Sequence, residues 1–345
     1  MLRLLADDLT GALDSASPFA AAGGPIPVVW NDKDLPLGDG DLAVDTETRH
    51  AGAADAAARV GGLSAQLTGA DPAFKKVDSC LRGQPSAEIA ALTRAGRFRT
   101  TVVAPAFPAQ GRITRAGRQH IREVDGGWRD AGVDLAAEFA ALGLACRRGR
   151  PLAGPGLYFC DVETDDELAA LAGLRRELVP PVLWCGSAGL SRALAGPFRS
   201  LDPATLVRPP VLVVTGSGNP VTVAQLDRLA LHEARVRVMA LRLPPGSEPA
   251  VAAAGLRQLV AEAAALPPPA TLLVAGGETL MQLCLQTGAA QLSVEGEIAP
   301  GVPVSRMVGG RWAGVPVISK SGGFGRPGFF AELVAPLAGG SGDAR

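Results

Sequence analysis

The chain has few of the residues that build metal, disulfide or histidine-based sites. Its 345 residues include five cysteines and three histidines. The cysteines form no C-x-x-C pair, which argues against a zinc site and a disulfide framework and favours a reducing compartment, the cytoplasm. His50, His120 and His232 have no mutual spacing typical of a metal site or a catalytic triad, so histidine catalysis is not expected.

An excess of one charge and a long apolar run are also absent. Lys plus Arg total 33, against 34 Asp plus Glu. This balance provides no basic footprint for nucleic acid and no polybasic patch for a membrane. The apolar residues after Arg3 end at Asp7, too soon for a signal peptide, and no later run reaches transmembrane length. We expect a cytoplasmic protein that binds a small anionic ligand through local charge, without nucleic-acid or membrane partners.

Apolar runs alternate with segments of helical spacing along most of the chain. Hydrophobic residues make up 47% of the sequence, enough for a folded core despite 43 glycines and 28 prolines. The alternation predicts βαβ units and mostly parallel sheets flanked by helices, an α/β fold. The predicted strands are 2–6, 26–30, 41–45, 73–77, 100–104, 157–160, 182–185, 211–215, 271–275 and 315–319. The predicted helices include 51–68, 86–97, 134–144, 165–178, 220–233, 250–266 and 278–287.

Length and proline content predict two domains. A chain of this length exceeds the usual size of a single hydrophobic core. Pro203, Pro209 and Pro210 interrupt the strand and helix pattern, so we place the boundary near residue 205. The expected domains are therefore 1–204 and 205–338.

Two further segments have no regular pattern. Residues 111–130 are rich in Gly and Arg and predict a long loop over the first domain. Residues 339–345 predict a disordered tail. No internal repeat is evident, and a homodimer is expected only because enzymes of this size are often dimeric.

Three predicted strands of the second half end at glycine turns. Strand 211–215 runs into the turn 216–218, and Asn219 and Pro220 then predict an N-cap and the first residue of a helix. The free N–H groups and the helix dipole at such a start suit a phosphate, and Ser217 adds a hydroxyl donor. For this segment alone, an ordinary βα turn explains the residues equally well.

The same arrangement recurs after strands 271–275 and 315–319. Three glycine turns in one domain favour a nucleotide as the ligand. The chain has no G-x-x-x-x-G-K-[ST] run, which excludes a P-loop, and no G-x-G-x-x-G with its acidic partner, which disfavours a dinucleotide site. The residues at these two turns are Gly276, Gly277, Glu278 and Thr279, and Lys320, Ser321, Gly322, Gly323, Phe324 and Gly325.

Two charged residues at these turns each allow two explanations. Lys320 either neutralises a phosphate or is solvated at the end of its strand. Glu278 is either a first-turn helix charge, which we favour, or a water-mediated magnesium contact.

In the first half, polar clusters again follow the predicted strands. Asp7 and Asp8 come directly after the first strand, and one of them is expected to cap the next helix. The second has less structural reason to be there, and Asp8 is a candidate to bind a substrate hydroxyl or accept its proton. Arg49, after strand 41–45, is either a bidentate clamp for a carboxylate or a lone surface arginine.

The segment 75–82 combines two cations, an anion and a hydroxyl at one strand end. Lys76 and Arg82 suit the carboxylate of a polyhydroxylated acid, and Asp78 and Ser79 suit its hydroxyl groups. The alternative is a structural ion pair between Asp78 and Arg82. Because the carboxyl ends of parallel strands line one crevice, all of these clusters are expected to converge on one site.

These motifs resemble, in order and across both halves, those of the four-carbon acid sugar kinases, a family formerly grouped as a domain of unknown function. Six or seven ordered matches are far more specific than any single motif. The matching segments are 6–12 (ADDLTGA), 75–83 (KKVDSCLRG), 104–108 (APAFP), 216–222 (GSGNPVT), 276–279 (GGET), 296–298 (GEI) and 320–325 (KSGGFG).

The resemblance implies ATP- and Mg²⁺-dependent phosphorylation of an acid sugar at its terminal hydroxyl, with threonate, erythronate or a 3-oxo relative as substrate. It also implies an N-terminal substrate domain, a C-terminal nucleotide domain and an active site in the cleft between them. The implied substrate contacts are Asp8, Arg49, Lys76, Asp78, Ser79 and Arg82. We expect Asp8 or Asp78 to accept the proton of the sugar hydroxyl, and we favour Asp8 as this base and Asp78 for substrate binding. The implied ATP contacts are Ser217, Gly276, Gly277, Glu278, Thr279, Gly322 and Gly323.

The chain departs from the family pattern at several points. It is shorter between Arg112 and Gly154. Asn219 replaces a usual serine, Glu278 a usual aspartate, Cys80 a usual threonine and Gly323 a usual asparagine. A non-catalytic binding paralogue and, less favoured, a hydroxy-acid dehydrogenase are the alternative functions.

Overall fold

The computed structural model describes residues 1–30, 35, 39–123, 125–149, 152, 154–229, 235–244 and 246–337. The chain divides into two compact units, Met1–Arg199 and a second unit that begins at Ser200. His232 and the predicted tail 339–345 lie outside the described residues. Within the described part, no helix is long and apolar enough to cross a membrane.

The first unit contains an eight-stranded sheet in which every neighbouring pair is parallel, in the order β2-β3-β1-β4-β11-β5-β10-β9. In this order, β2 and β3 lie on one side of β1, and the next strand along the chain, β4, lies on the other side of β1. Such a reversal of strand order opens a ligand crevice at the carboxyl ends of the strands. The strands of this sheet are β1 (Arg3–Ala6), β2 (Ile26–Val29), β3 (Leu42–Asp45), β4 (Ala73–Lys76), β5 (Thr100–Ala104), β9 (Cys146–Arg148), β10 (Gly156–Phe159) and β11 (Val182–Gly186).

Helices connect these strands and cover the sheet. Apolar residues of the strands pack against Ile89 and Phe139 of the helices, and both side chains are fully buried. The helices of this unit are α1 (Leu9–Gly23), α2 (Ala53–Gly62), α3 (Pro85–Arg94), α4 (Leu135–Ala141), α5 (Asp165–Gly173) and α6 (Ala188–Ala195). The α/β prediction is confirmed by this arrangement.

The prediction of a loop over 111–130 is wrong. A three-stranded antiparallel sheet occupies it, formed by β6 (Arg112–Arg115), β7 (Arg118–Arg122) and β8 (Trp128–Asp130). Ala116 and Gly117 connect β6 to β7 and both have positive φ, 51° and 73°, as a two-residue hairpin turn requires. The Arg-rich strands are half exposed, so they lack the apolar run that marks a buried strand.

The second unit contains a six-stranded sheet in the order β13-β12-β14-β17-β16-β15. The first three pairs are parallel and the last two are antiparallel. The strands are β12 (Val211–Thr215), β13 (Val236–Ala240), β14 (Thr271–Ala275), β15 (Gln291–Ala299), β16 (Val302–Val308) and β17 (Pro316–Lys320). The helices are α7 (Pro203–Leu206), α8 (Pro220–Asp227), α9 (Pro249–Ala265), α10 (Gly277–Thr287) and α11 (Phe329–Val334).

Candidate functional site

The polar clusters of the first unit lie at the carboxyl ends of three neighbouring strands. Asp7 and Asp8 follow β1, Arg49 comes after β3, and the segment 76–82 begins in β4. The sheet order β3-β1-β4 places these strand ends side by side. The predicted convergence of the clusters on one crevice is therefore observed.

Arg49 is the centre of this cluster. Its guanidinium binds both carboxylate oxygens of Asp7 and donates a hydrogen bond of 2.8 Å to Asp8 Oδ1. Its Nη1 lies 3.6 Å from Asp78 Oδ1. Burial opposes ionisation of Asp7, but the charges of Arg49 and of two nearby lysines outweigh it, and the pKa of Asp7 lies below its usual value. Arg49 is thus a buried link between three carboxylates, not a lone surface arginine.

Asp8 caps helix α1, as one of the two aspartates was expected to do. Its Oδ1 accepts a 2.9 Å hydrogen bond from the backbone N–H of Gly11, and its Oδ2 accepts one of 2.8 Å from Thr10 Oγ1. With the bond from Arg49, this carboxylate receives three donors. Its side chain is nevertheless 23% exposed, which leaves it accessible to a ligand.

Asp78 and Arg82 form the ion pair that the sequence suggested as a structural alternative. Arg82 donates two hydrogen bonds, of 2.9 and 2.8 Å, to the two oxygens of Asp78. Backbone N–H groups of Cys80 and Arg82 donate two more at 3.1 Å. Burial opposes ionisation, but these bonds and nearby cations hold the pKa of Asp78 well below its usual range. Arg82 keeps 60% of its side chain exposed.

The loop that carries Asp78 and Ser79 is conformationally constrained. Leu81 has a φ of 60° and Gly83 a φ of 82°, and a Cβ on Gly83 would approach Asp7 Oδ2 to 3.1 Å. Gln119 of β7, which is fully buried, donates a 2.7 Å hydrogen bond to the carbonyl of Ser79. The antiparallel sheet of the first unit therefore holds the loop in place from outside.

Lys75 is paired with a carboxylate that sequence analysis did not single out. Its Nζ lies 2.9 Å from Glu88 Oε2 and donates a 2.7 Å hydrogen bond to the carbonyl of Lys76. Glu88 also accepts a hydrogen bond from the hydroxyl of Thr48, next to Arg49. Because all of these side chains are buried, the Lys75–Glu88 pair ties β4, α3 and the loop after β3 together.

Lys76 lies on the other side of β4, over helix α1. Its Nζ donates no hydrogen bond within the described residues, and the nearest carboxylate oxygen is Asp14 Oδ1 at 3.9 Å. A Cβ on Gly11 would lie 2.9 Å from this ammonium, so only glycine permits the approach. Asp14 is a second residue that sequence analysis missed. The signal was its spacing, since Asp8, Gly11 and Asp14 recur every three residues, which places them on one helix face.

In the second unit the three glycine turns follow β12, β14 and β17, which are neighbours in the sheet. Asn219 caps α8 with a 3.0 Å bond to the N–H of Val221, and Pro220 is the first helical residue, as predicted. A Cβ on Gly322 would collide with Ser217 Oγ. The turn after β12 and the turn after β17 are therefore in direct contact.

The middle turn is bonded to the first. Thr279 Oγ1 accepts a 3.0 Å hydrogen bond from the N–H of Gly216. Gly276 has a φ of 104°, which favours glycine, and Gly277 begins helix α10. The predicted ATP contacts Ser217, Gly276, Gly277, Thr279 and Gly322 thus lie in one continuous set of turns, and Gly323 follows Gly322 in the third of them.

Lys320 is buried. The explanation that this lysine is simply solvated at the end of its strand is therefore wrong. Its Nζ donates hydrogen bonds of 3.1, 3.2 and 3.3 Å to Thr222 Oγ1 and to the carbonyls of Ser321 and Gly322. Burial without a carboxylate partner lowers the pKa of Lys320 to about 7. Lys320 therefore fixes the backbone of the third turn.

Glu278 lies in the first turn of α10, the position that the favoured explanation of this residue predicts. Gln282 donates a 3.0 Å hydrogen bond to its carboxylate. Among the described residues, no group of three or more His, Cys, Asp or Glu side chains is arranged to hold a metal ion.

Two family models match the chain. A sugar-binding N-terminal domain matches residues 2–127, and a nucleotide-binding C-terminal domain matches residues 247–330. The first match contains the acidic and basic cluster of the first unit, and the second contains two of the three glycine turns.

Full-length relatives give the same result. The chain is 30% identical to the D-threonate kinase of Cupriavidus necator, with 93% of this chain and 94% of the relative covered. It is also 30% identical to the D-threonate kinase of Bordetella bronchiseptica, with 94% of each chain covered.

Solved structures share the fold. A Haemophilus influenzae protein matches with a TM-score of 0.66 at 18% identity, covering 97% of this chain and 99% of its own. A Salmonella typhimurium protein described as a putative tRNA synthase matches with a TM-score of 0.69 at 20% identity, covering 95% and 97%. From its two domains and its full-length relatives, the chain belongs to the four-carbon acid sugar kinase family, a group of carbohydrate phosphotransferases.

Proposed function

We propose that the protein transfers the γ-phosphoryl group of ATP to the terminal hydroxyl of a four-carbon acid sugar of the threonate class. The substrate class comes from the D-threonate kinases to which the chain is similar over its full length. The observation that carries the proposal is the buried cluster of the first unit, where cations and hydrogen-bonding carboxylates lie within one crevice.

The chemistry of this cluster suits an acid sugar. Such a ligand has one carboxylate, which binds cations, and adjacent hydroxyl groups, which both donate and accept hydrogen bonds. Lys76 has an ammonium without a hydrogen bond within the described residues, and Arg82 has a largely exposed guanidinium. The side chain of Asp8 is 23% exposed, and Ser79, which is buried, adds a hydroxyl next to Asp78. The proposed substrate contacts are Asp8, Arg49, Lys76, Asp78, Ser79 and Arg82.

The glycine turns of the second unit suit the phosphates of ATP. Backbone N–H groups at the starts of α8 and α10, with the positive ends of both helix dipoles, attract phosphate oxygens. Ser217 adds a hydroxyl at the same place. The proposed nucleotide contacts are Ser217, Gly276, Gly277, Glu278, Thr279, Gly322 and Gly323.

Mg²⁺ is expected to arrive with the nucleotide. This ion commonly binds proteins through one or two carboxylates together with substrate phosphates, not through a dedicated protein cage. The described residues fit that mode, because Glu278 is a single carboxylate beside the proposed phosphate site. When bound, the ion would neutralise charge on the β- and γ-phosphates.

Catalysis would come mainly from positioning and charge neutralisation, as is general for phosphoryl transfer. The proposal keeps the predicted substrate domain and nucleotide domain. It also keeps ATP as the phosphoryl donor, in accord with the nucleotide-binding domain model.

The test is ADP release from ATP·Mg²⁺ by the purified full chain in the presence of the threonates, the erythronates and their 3-oxo relatives. We expect one acid to give ADP release. Lys76→Ala should lose sugar binding and keep ATP binding, and Ser217→Ala should show the reverse, both measured by calorimetry. Binding of sugar and ATP with no ADP from any acid would instead favour a non-catalytic paralogue.

A further inference from the structure

One face of helix α1 carries two carboxylates with an ammonium between them. Asp8, Gly11 and Asp14 are spaced by three residues and therefore lie in a row. The missing side chain of Gly11 allows Lys76 Nζ to lie over the row, since a Cβ there would be 2.9 Å from Nζ and 2.6 Å from Asp8 Oδ1. Any ligand group that reaches Lys76 therefore also comes close to these carboxylates.

The four aspartates of the cluster differ in how many hydrogen bonds they accept. Asp7 is bound by two nitrogens of Arg49, Asp8 receives three donors, and Asp78 receives four. Asp14 receives one within the described residues, a 2.9 Å bond from the hydroxyl of Ser15. Hydrogen bonds to the ionised form stabilise it and make a carboxylate a weaker base, so Asp14 is more basic than Asp7 and Asp78.

The surroundings of Asp14 act in the same direction. The pKa of Asp14 is raised to about 7: burial is the largest cause, the charges of Asp8 and Asp78 act in the same direction, and Lys76 and the hydrogen bond from Ser15 oppose them. A general base works best when its pKa lies near the pH at which the enzyme operates. By contrast, the pKa values of Asp7 and Asp78 lie below the usual range of a carboxyl group.

The gap between Asp14 and Lys76 has the chemistry of a hydroxyl site. Their Oδ1 and Nζ atoms are 3.9 Å apart, too far for a hydrogen bond. Within the described residues, the carboxylate of Asp14 accepts a single hydrogen bond, from Ser15, and Lys76 Nζ donates none. A hydroxyl group donates one hydrogen to a carboxylate and accepts one from an ammonium, so a single hydroxyl satisfies both. A second carboxylate in this position would instead repel Asp14.

We propose that Asp14 is the general base that accepts the proton of the sugar hydroxyl being phosphorylated, and that Lys76 binds the oxygen of that hydroxyl. This inference rests on the proposed kinase function. The O–H bond breaks as the proton moves to the carboxylate of Asp14. The oxygen forms a bond to the γ-phosphorus, the bond from that phosphorus to the β-phosphate oxygen breaks, and ADP leaves with the electron pair. Arg82, with its exposed guanidinium, then remains for the sugar carboxylate.

The experiment compares Asp14→Asn with Asp8→Asn in the full chain, using the acid that the wild type phosphorylates. Asp14→Asn should reduce kcat by about 10²- to 10⁴-fold, the usual contribution of general-base catalysis. Its KM for ATP and its calorimetric affinity for the sugar should stay within about threefold of the wild type. Asp8→Asn, which retains the helix cap, should act mainly on the KM for the sugar.

The pH profile separates a base from a structural residue. Wild-type kcat/KM, which reports the free enzyme, should fall about tenfold per pH unit below about pH 7, as Asp14 becomes protonated. This acid limb should disappear from the residual activity of Asp14→Asn and remain in Asp8→Asn and in Asp14→Glu. Asp14→Glu keeps a carboxylate and serves as the control for a misfolded Asn variant.

Two results would overturn the inference: a kcat of Asp14→Asn within about threefold of the wild type, or an acid limb that persists in that variant. A wild type that releases no ADP with any acid refutes the kinase function itself, a failure distinct from normal turnover in the absence of Asp14.

Discussion

Lys75 and Lys76 are neighbours on β4, yet only Lys75 is in close ion-pair contact with its carboxylate. Lys75 Nζ is 2.9 Å from Glu88 Oε2, whereas Lys76 Nζ is 3.9 Å from Asp14 Oδ1 and donates no hydrogen bond within the described residues. Successive side chains of a strand point to opposite faces, so one lysine meets α3 and the other meets α1. The two cations therefore have different roles, one structural and one available to a ligand.

Replacement of each lysine by methionine should separate these roles. Lys75→Met leaves Glu88 buried and unpaired, so we expect a loss of about 3–5 kcal/mol in the free energy of unfolding, measured with urea. Lys76→Met should instead raise the KM for the acid sugar by about ten- to a hundredfold, because a hydrogen bond to a charged group is typically worth about 1.5–3 kcal/mol.

The double variant Lys75→Met/Glu88→Leu is the control for the structural role. An apolar pair of similar volume often replaces a buried ion pair without loss, so stability should recover. Equal losses of sugar affinity in Lys75→Met and Lys76→Met would contradict the assignment.

The sequence was most informative where a buried strand ends at a glycine turn. Val211–Thr215 and Thr271–Ala275 are continuous apolar runs, and both strands and the turns after them were predicted correctly. The hairpin formed by Gln291–Ala299 and Val302–Val308 was missed, because its strands are partly exposed and two register shifts break the alternation.

The clustering of charged side chains at the strand ends was predicted from the sequence, but not all members of the cluster were. Asp8, Arg49, Lys76, Asp78 and Arg82 follow strand ends, a signal that the sequence contains. The partners Asp14 and Glu88 lie inside helices and meet their lysines only through tertiary packing, 62 residues away in the case of Asp14 and Lys76. Ordinary helix patterns contain many such acidic residues, so Glu88 could not be singled out, and Asp14 had no signal beyond its spacing from Asp8 and Gly11.

Gly322 should be essential for nucleotide binding. In Gly322→Ala the added methyl group collides with Ser217 Oγ, which separates the turn after β12 from the turn after β17. We expect the calorimetric affinity for ATP·Mg²⁺ to fall by more than tenfold, with sugar affinity unchanged.

The matched control for this variant is Gly218→Ala. Its added Cβ meets no atom within 4 Å and its φ is not positive, so ATP affinity should change by less than about twofold. Similar affinities for the two variants would show that the contact between Ser217 and Gly322 is not needed.

Asp14→Asn should make the protein more stable above neutral pH. The folded pKa of about 7 exceeds the ordinary value of 3.8, so the folded state binds more protons than the unfolded state between these values. Stability contributed by this residue is present below pH 3.8 and is lost as the pH rises to about 7. At pH 8 the variant should gain on the order of 2–4 kcal/mol in urea unfolding.

The size of this gain tests the environment of Asp14 independently of turnover. A variant less stable than the wild type at pH 8 would mean that the interaction of Asp14 with Lys76 outweighs the cost of burying the carboxylate.

Lys320 should give the second unit a stability that increases with pH. Its folded pKa of about 7 lies below the ordinary value of 10.5, so the unfolded state binds more protons between pH 7 and 10.5. The free energy of unfolding therefore increases through this window, by up to about 4 kcal/mol in all.

Lys320→Met has no such group, and Lys320→Arg stays charged throughout the window, so both should lack the increase. Urea unfolding at pH 7.0 and pH 9.5 measures this increase. The free energy of unfolding of the wild type, minus that of either variant, should be larger at the higher pH. Parallel curves would mean that the three hydrogen bonds to Thr222, Ser321 and Gly322 compensate the ammonium for its burial.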